Sequence, residues 1–149
     1  MDPSPGMLFG DLLALARLRW VREMASRLDA LGYPDYRRTD ASVLGYLRRD
    51  ELTIGHLGAT LGVTRQAARH VVDGLEARGY ARTTRDARDT RRVRIALTAA
   101  GRTYANAVVE VIHSLNLELT SRMNPEQLDA ARDALRAIVD APSPLPIGT

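Results

Sequence analysis

The residues Leu57–Tyr80, LGATLGVTRQAARHVVDGLEARGY, and the run Ala81–Gly101 that follows, ARTTRDARDTRRVRIALTAAG, decide the fold of this chain. The first stretch reads as two short helices joined by a tight turn at Gly62, Val63 and Thr64. Glycine takes a positive φ at little steric cost and so ends a helix sharply. Thr64 is a good N-cap, because its hydroxyl can accept from a free N–H in the first turn of the next helix. Ile54, Leu57, Leu61, Val63, Val71 and Leu75 are spaced to bury one face shared by both helices. Arg65, Gln66, Arg69 and His70 then lie on the outer face of the second helix. Such donor-rich side chains pair with guanine, adenine and phosphate, with Gln66 suited to adenine and Arg69 to guanine. The segment reads as a helix-turn-helix whose second helix is charged for DNA.

Two short strands are expected next, at Tyr80–Arg85 and Arg92–Leu97. The second alternates Val93, Ile95 and Leu97 with Arg94 and Ala96, the period of a half-buried strand. The tip between them, Asp86-Ala87-Arg88-Asp89-Thr90-Arg91, alternates acids and arginines. A charged hairpin directly after a recognition helix is a wing. Asp86 or Asp89 can hold one arginine while another reaches outward. Arg88 or Arg91 is expected to enter the minor groove, where narrow A·T-rich segments attract guanidinium; Arg85 stands at the base of the tip.

The run LEARGYARTTRDARDTRRVRIALTAAG, Leu75–Gly101, resembles the winged-helix core of the MarR-type bacterial transcriptional regulators. The Asp-x-Arg-Asp-x-Arg run at 86–91, then a strand, then Leu97-Thr98-x-x-Gly101, carries the resemblance. It implies a triangular homodimer, with a helical dimerisation layer above two winged-helix lobes. It also implies a DNA-binding regulator, usually a repressor, tuned by a small-molecule effector, often anionic or phenolic. Trp20, Tyr46 and His113 lie on helices that border a ligand pocket in that family. Gly58 stands where the family usually has alanine, and Thr90 where it usually has an arginine or another polar group.

Charge supports the same reading. All 21 basic residues are arginine, so every cation can act as a planar bidentate donor. The net charge is +3, yet from Arg65 to Arg94 nine arginines face four acids (Asp73, Glu76, Asp86, Asp89), a local balance of +5. The rest of the chain holds 12 arginines against 14 acids. The positive charge is concentrated where DNA would lie.

Outside the core, Met7–Leu31 places Leu8, Leu12, Leu15, Leu18, Ala25, Leu28 and Leu31 at three- and four-residue spacing, the mark of a long amphipathic helix. Gly32-Tyr33-Pro34 stops it. A second helix is expected over Asp40–Arg49 with Val43, Leu44 and Leu47 inward, and Glu51–Thr53 as a short extended piece that can pair with the wing. Gly74, inside the recognition helix, costs about 1 kcal/mol relative to alanine, and close packing against a neighbour is its expected reason. A long helix follows to Arg122, with Tyr104, Ala105, Val108, Val111, Ile112, Leu115 and Leu119 apolar around much of its circumference. Asn124-Pro125-Glu126-Gln127 starts a last helix: a cap, Pro at the first helical position, and Gln three residues on. Leu128, Ala131, Leu135 and Ile138 form its apolar face. Met1–Gly6 and the proline-rich tail are expected to be disordered or extended.

These observations predict a mainly α (α+β winged helix) fold. An N-terminal dimerisation helix spans 1–35 and the winged helix-turn-helix 36–98. C-terminal dimerisation helices span 99–141, before a flexible tail at 142–149. The terminal helices carry more apolar surface than one winged core can cover, and such patches are unusual on monomers. A two-fold homodimer is the economical solution. Its partner is double-stranded DNA, a pseudo-palindromic operator with half-sites about 10 bp apart. With no Cys, disulfides, thiolate metal sites and a cysteine redox switch are excluded. The histidines His56, His70 and His113 lack ligand-like spacing, so no metal is expected, and His56 and His70 fit phosphate contacts better. No catalytic residue is assigned: a nucleophile motif, a phosphate-cradling glycine loop and paired metal ligands are all missing. No cofactor is assigned. No signal peptide and no membrane span is expected, which makes a cytoplasmic location the default. The alternative reading is a winged-helix protein-interaction module without sequence-specific DNA binding.

Overall fold

The computed structural model describes Gly6 and residues 8–141 of the chain. The expectations for Met1–Pro5 and for the tail 142–149 lie outside these residues. The described residues form six helices and three strands: α1 (Phe9–Ala30), α2 (Asp40–Leu47), β1 (Leu52–Thr53), α3 (Ile54–Leu61), α4 (Arg65–Ala77), β2 (Ala81–Arg85), β3 (Val93–Leu97), α5 (Ala99–Thr120) and α6 (Pro125–Val139). None of these helices is long and apolar enough to cross a membrane. The chain divides into two compact units, one ending at Ile112 and one beginning at His113.

In the first unit, local chemistry sets the element ends. The Thr53 hydroxyl accepts from the His56 N–H at 3.2 Å and opens α3, while Gly62 closes it at φ +66°. The Thr64 hydroxyl accepts from the Ala67 N–H at 3.1 Å and opens α4. An α3 side chain at position 58 would crowd the turn: a Cβ there would stand 3.2 Å from the Val63 carbonyl oxygen and 3.6 Å from the Ala68 Cβ. Gly58 is therefore what lets α3 and α4 approach. The sheet is antiparallel with order β1-β3-β2, Leu52 facing Ile95 and Thr83 facing Ile95 from the other side. Of the extended piece expected at 51–53, Leu52 and Thr53 pair with the wing, and Glu51 lies outside the strand.

The core of this unit collects Leu44, Leu47, Ile54, Leu57, Ala68, Val72, Leu75, Ile95, Leu97, Tyr104 and Val108, with Met24 and Leu28 of α1. Three expected core positions differ. Leu61, the last residue of α3, is only half-buried. Val63 is exposed, because it lies in the turn beyond the end of α3, and Val71 is only half-buried. The buried stripe of α4 is Ala68, Val72 and Leu75, spaced four and three residues apart. At about 100° per residue, Val71 falls at the edge of that stripe. Along α1, Leu8, Phe9, Leu12, Leu15 and Leu18 are exposed and only Met24 and Leu28 are buried.

A buried polar cluster anchors the C-terminal end of α4. Asp40 is fully buried, and its carboxylate accepts from Arg78 Nη1 at 2.8 Å and Nη2 at 2.9 Å, from the Tyr104 hydroxyl at 2.7 Å and from the Arg37 N–H at 3.0 Å. Arg78 also donates to the Asp35 carbonyl at 3.0 Å. Tyr104 stacks on Tyr80 with ring centroids 4.3 Å apart and meets Tyr33 at 4.9 Å. Together these hydrogen bonds satisfy the carboxylate, as a buried charge requires.

In the second unit, Asn124 and Gln127 form a reciprocal capping box: Gln127 N–H donates to Asn124 Oδ1 at 2.9 Å, and Asn124 N–H to Gln127 Oε1 at 3.1 Å. No residue of α6 is buried; Leu135, Ile138 and Val139 are exposed.

Candidate nucleic-acid interface

The outer face of α4 carries Arg65, Gln66, Arg69 and His70, all exposed. Thr64, expected beside them, spends its hydroxyl oxygen on the helix cap. Arg69 is not loose: its Nε donates to Asp73 Oδ1 at 2.8 Å, one turn along the same face. Arg65 reaches the wing, where its Nη2 approaches the Arg91 carbonyl at 3.5 Å. Helix face and wing tip are therefore neighbours in space, although 26 residues apart in the chain.

The wing is stapled by its acids, but not through the arginines singled out for the groove. Asp86 accepts from the Arg88 backbone N–H at 2.9 Å and Asp89 from that of Arg91 at 3.0 Å, each closing a tight local turn. The side-chain ion pairs go to Arg94 (Nε to Asp86, 3.4 Å) and Arg92 (Nε to Asp89, 3.6 Å). The backbone N–H of Arg88 and then the Arg94 guanidinium hold the Asp86 carboxyl below its ordinary range. The side chains of Arg85, Arg88 and Arg91 are exposed, and among the described residues no carboxylate pairs with them. An open cavity of about 480 Å³ lies within the tip, bounded by Arg85, Arg88, Arg92 and Arg94.

Residues 35–92, which hold α2 to α4 and most of the wing, match the pattern of the MarR family. Over those 58 of its 149 residues the chain is similar to the MarR family. Among curated protein sequences no relative matches it. Solved structures share the fold beyond the matched segment. The MepR–DNA complex of S. aureus is 21% identical with a TM-score of 0.78, covering 89% of this chain and 97% of that one. CouR bound to a 23-mer DNA duplex is 25% identical with a TM-score of 0.76, covering 89% and 92%. BpsR of Bordetella bronchiseptica, described by the regulation of its DNA binding by 6-hydroxynicotinic acid, is 22% identical with a TM-score of 0.75, covering 95% and 100%. MarR-family proteins are transcriptional regulators, not enzymes.

The structure gives the MarR-like residues Leu97-Thr98-x-x-Gly101 a physical reason. The Thr98 hydroxyl donates to the Gly79 carbonyl at 2.6 Å and accepts from the Gly101 N–H at 3.0 Å, tying the end of α4 to the start of α5. A Cβ at Gly101 would collide with the Tyr80 carbonyl, so only glycine fits. Gly74 faces the Arg37 guanidinium, where a Cβ would come within 2.7 Å of Nη1; this is the expected close packing. One anchor was not expected from sequence: Glu76 Oε1 of α4 accepts from the Thr83 N–H at 2.7 Å and its hydroxyl at 2.8 Å, locking β2 to α4. The seven-residue separation across a helix–strand junction carries no periodic signal. His56 and His113 are exposed, as is Tyr46, and Trp20 is half-buried. Among the described residues no group of His, Asp and Glu is placed to hold a metal ion.

Proposed function

We propose that this chain is a MarR-family regulator, a homodimeric, sequence-specific DNA-binding repressor working in the cytoplasm, with α4 reading base edges in the major groove and the wing gripping the adjacent minor groove. The observation that carries this is the junction of Arg65 with the Arg91 carbonyl, which sets the α4 face beside the exposed Arg88 and Arg91 of the wing. Eight residues are assigned to the interface: Thr64, Arg65, Gln66, Arg69 and His70 from helix and cap, and Arg85, Arg88 and Arg91 from the wing. Arg69 is assigned to guanine and Gln66 to adenine. The wing arginines are assigned to phosphate and the minor groove.

The homodimer is proposed from apolar surface. α1 leaves Leu8, Phe9, Leu12, Leu15 and Leu18 exposed, and α6 separately leaves Leu135, Ile138 and Val139 exposed. A second copy covering these faces removes them from water, at about 25 cal/mol per Å² buried. A small-molecule effector is proposed from the family resemblance and from the ligand named for BpsR.

Selection from a randomised duplex library tests the function: a pseudo-palindrome with half-sites about 10 bp apart is expected. Sedimentation at micromolar concentration should give a dimer, and Leu12→Glu with Leu15→Glu should give a folded monomer. Salt-sensitive binding with no sequence selected would favour the protein-interaction reading instead.

A further inference from the structure

The side chains on the outer face of α4 are not equivalent. Gln66 and His70 have no side-chain partner among the described residues, and Arg65 has one long contact to the wing at 3.5 Å. Arg69 alone is held by a short charge-assisted bond, Nε to Asp73 Oδ1 at 2.8 Å, with both side chains about half-exposed. Asp73 is otherwise out of place. It puts a negative charge on the face that, in the proposed function, approaches phosphates.

We propose that Asp73 is a specificity-determining positioning residue. It fixes the Arg69 guanidinium so that the Nη1/Nη2 fork is presented to one base pair, and it makes loose phosphate contacts on that face unfavourable. The geometry supplies both halves of this role. Occupying Nε leaves the two terminal nitrogens, whose coplanar N–H groups match the O6 and N7 acceptors of guanine. An arginine without such a partner would swing freely and could end on any phosphate. The carboxylate repels the DNA backbone and so weakens every complex in which Arg69 does not meet its base. Specificity is a difference of affinities, and an element unfavourable to the wrong site widens that difference. This inference rests on α4 reading bases as proposed above.

Its signature is a pair of effects of opposite sign. In Asp73→Ala, binding to random duplex DNA should strengthen by about two- to fivefold at low salt, because a charge facing phosphate is gone. Preference for the selected site should fall by roughly five- to tenfold, a part of what a good bidentate arginine–base pair supplies. The loss should map to the base pair that Arg69→Ala also relaxes. Asp73→Glu, which can still reach Arg69, should restore most of the preference. In an Arg69→Ala background, Asp73→Ala should leave preference unchanged. The site is exposed and alanine is a strong helix former, so circular dichroism should report an intact helix with unchanged melting.

The experiment is a competition titration of wild type and these variants on the library-selected duplex, its single-base-pair variants and random duplex. Undiminished preference in Asp73→Ala overturns the inference, as does an equal loss on selected and random DNA. So does a loss that persists without Arg69. If the wild type selects no sequence at all, base reading by α4 is itself wrong and the positioning role falls with it. That outcome is distinct from a wild type that selects a site while Asp73→Ala selects it equally well.

Discussion

The Asp40 carboxylate receives both terminal nitrogens of Arg78, at 2.8 and 2.9 Å, across 38 residues of chain. Arg78 is the residue at which α4 ends, so this fork fixes the C-terminal end of α4 against the start of α2. With Asp40 fully buried, removing one partner strands a charge away from water. Arg78→Met should therefore destabilise by about 3–5 kcal/mol. The check is the urea midpoint at fixed protomer concentration, since a dimer's stability depends on concentration. A loss below about 1 kcal/mol, the value of an exposed pair, would refute the anchoring role.

Alkaline pH should loosen the same cluster. Burial, then the Asp35 carboxylate, pushes the Tyr80 phenol up to about 12, and burial, then Asp40, moves Tyr104 the same way. Raised phenol values mean that the fold favours the neutral form. The stabilisation from Tyr80 is complete below the ordinary tyrosine value of 10.0 and is lost as pH rises through its folded value of about 12. Urea titrations across that range should show a steady fall in stability. Tyr80→Phe should make the fall shallower; an unchanged slope would place the effect elsewhere.

Two glycines should respond in opposite ways to alanine. At Gly101 a Cβ would run into the Tyr80 backbone, which cannot move without breaking the Thr98 N–H bond to the same carbonyl. Gly101→Ala should cost at least about 2 kcal/mol. At Gly74 the Cβ would meet only the end of the flexible Arg37 side chain. Gly74→Ala should be neutral or stabilising by up to about 1 kcal/mol, the helix-propensity gain. Thermal melts of the two variants side by side provide the comparison.

Helix and wing should separate by salt. Arg69→Ala should lower affinity for the selected site by about 1–3 kcal/mol and relax one base pair in each half-site. Arg88→Ala or Arg91→Ala should weaken binding to all sequences. Each should also reduce the log–log salt slope by about 0.9 for every phosphate no longer neutralised, doubled in a symmetric dimer. An Arg69→Ala effect equal on selected and random DNA would mean that the helix only grips phosphate.

Sequence by itself determined whatever depends on neighbours within one or two turns. Gly62 at φ +66°, the Thr64 cap and the Asn124–Gln127 box follow from local sterics and from donors that a helix end leaves free. The period-two pattern of Val93, Ile95 and Leu97 set the face of β3, and the charge of 65–94 falls on α4 and the wing. The Arg69–Asp73 pair was equally within reach, as an i,i+4 spacing. Only the tertiary structure decided which long-range partners meet. Asp40 reads as an ordinary first-turn acid until Arg78 and Tyr104, 38 and 64 residues away, arrive to replace its water. Similarly, the wing's sequence offered its acids several arginines. Strand pairing gave the Asp86 side chain to Arg94, leaving Arg88 outside, because hairpin geometry and not sequence spacing sets which guanidinium lies within reach. A one-residue shift in the α4 stripe, from Val71 to Val72, came the same way. Helix periodicity fixes the spacing of buried positions, but the neighbours that α4 packs against fix its rotation.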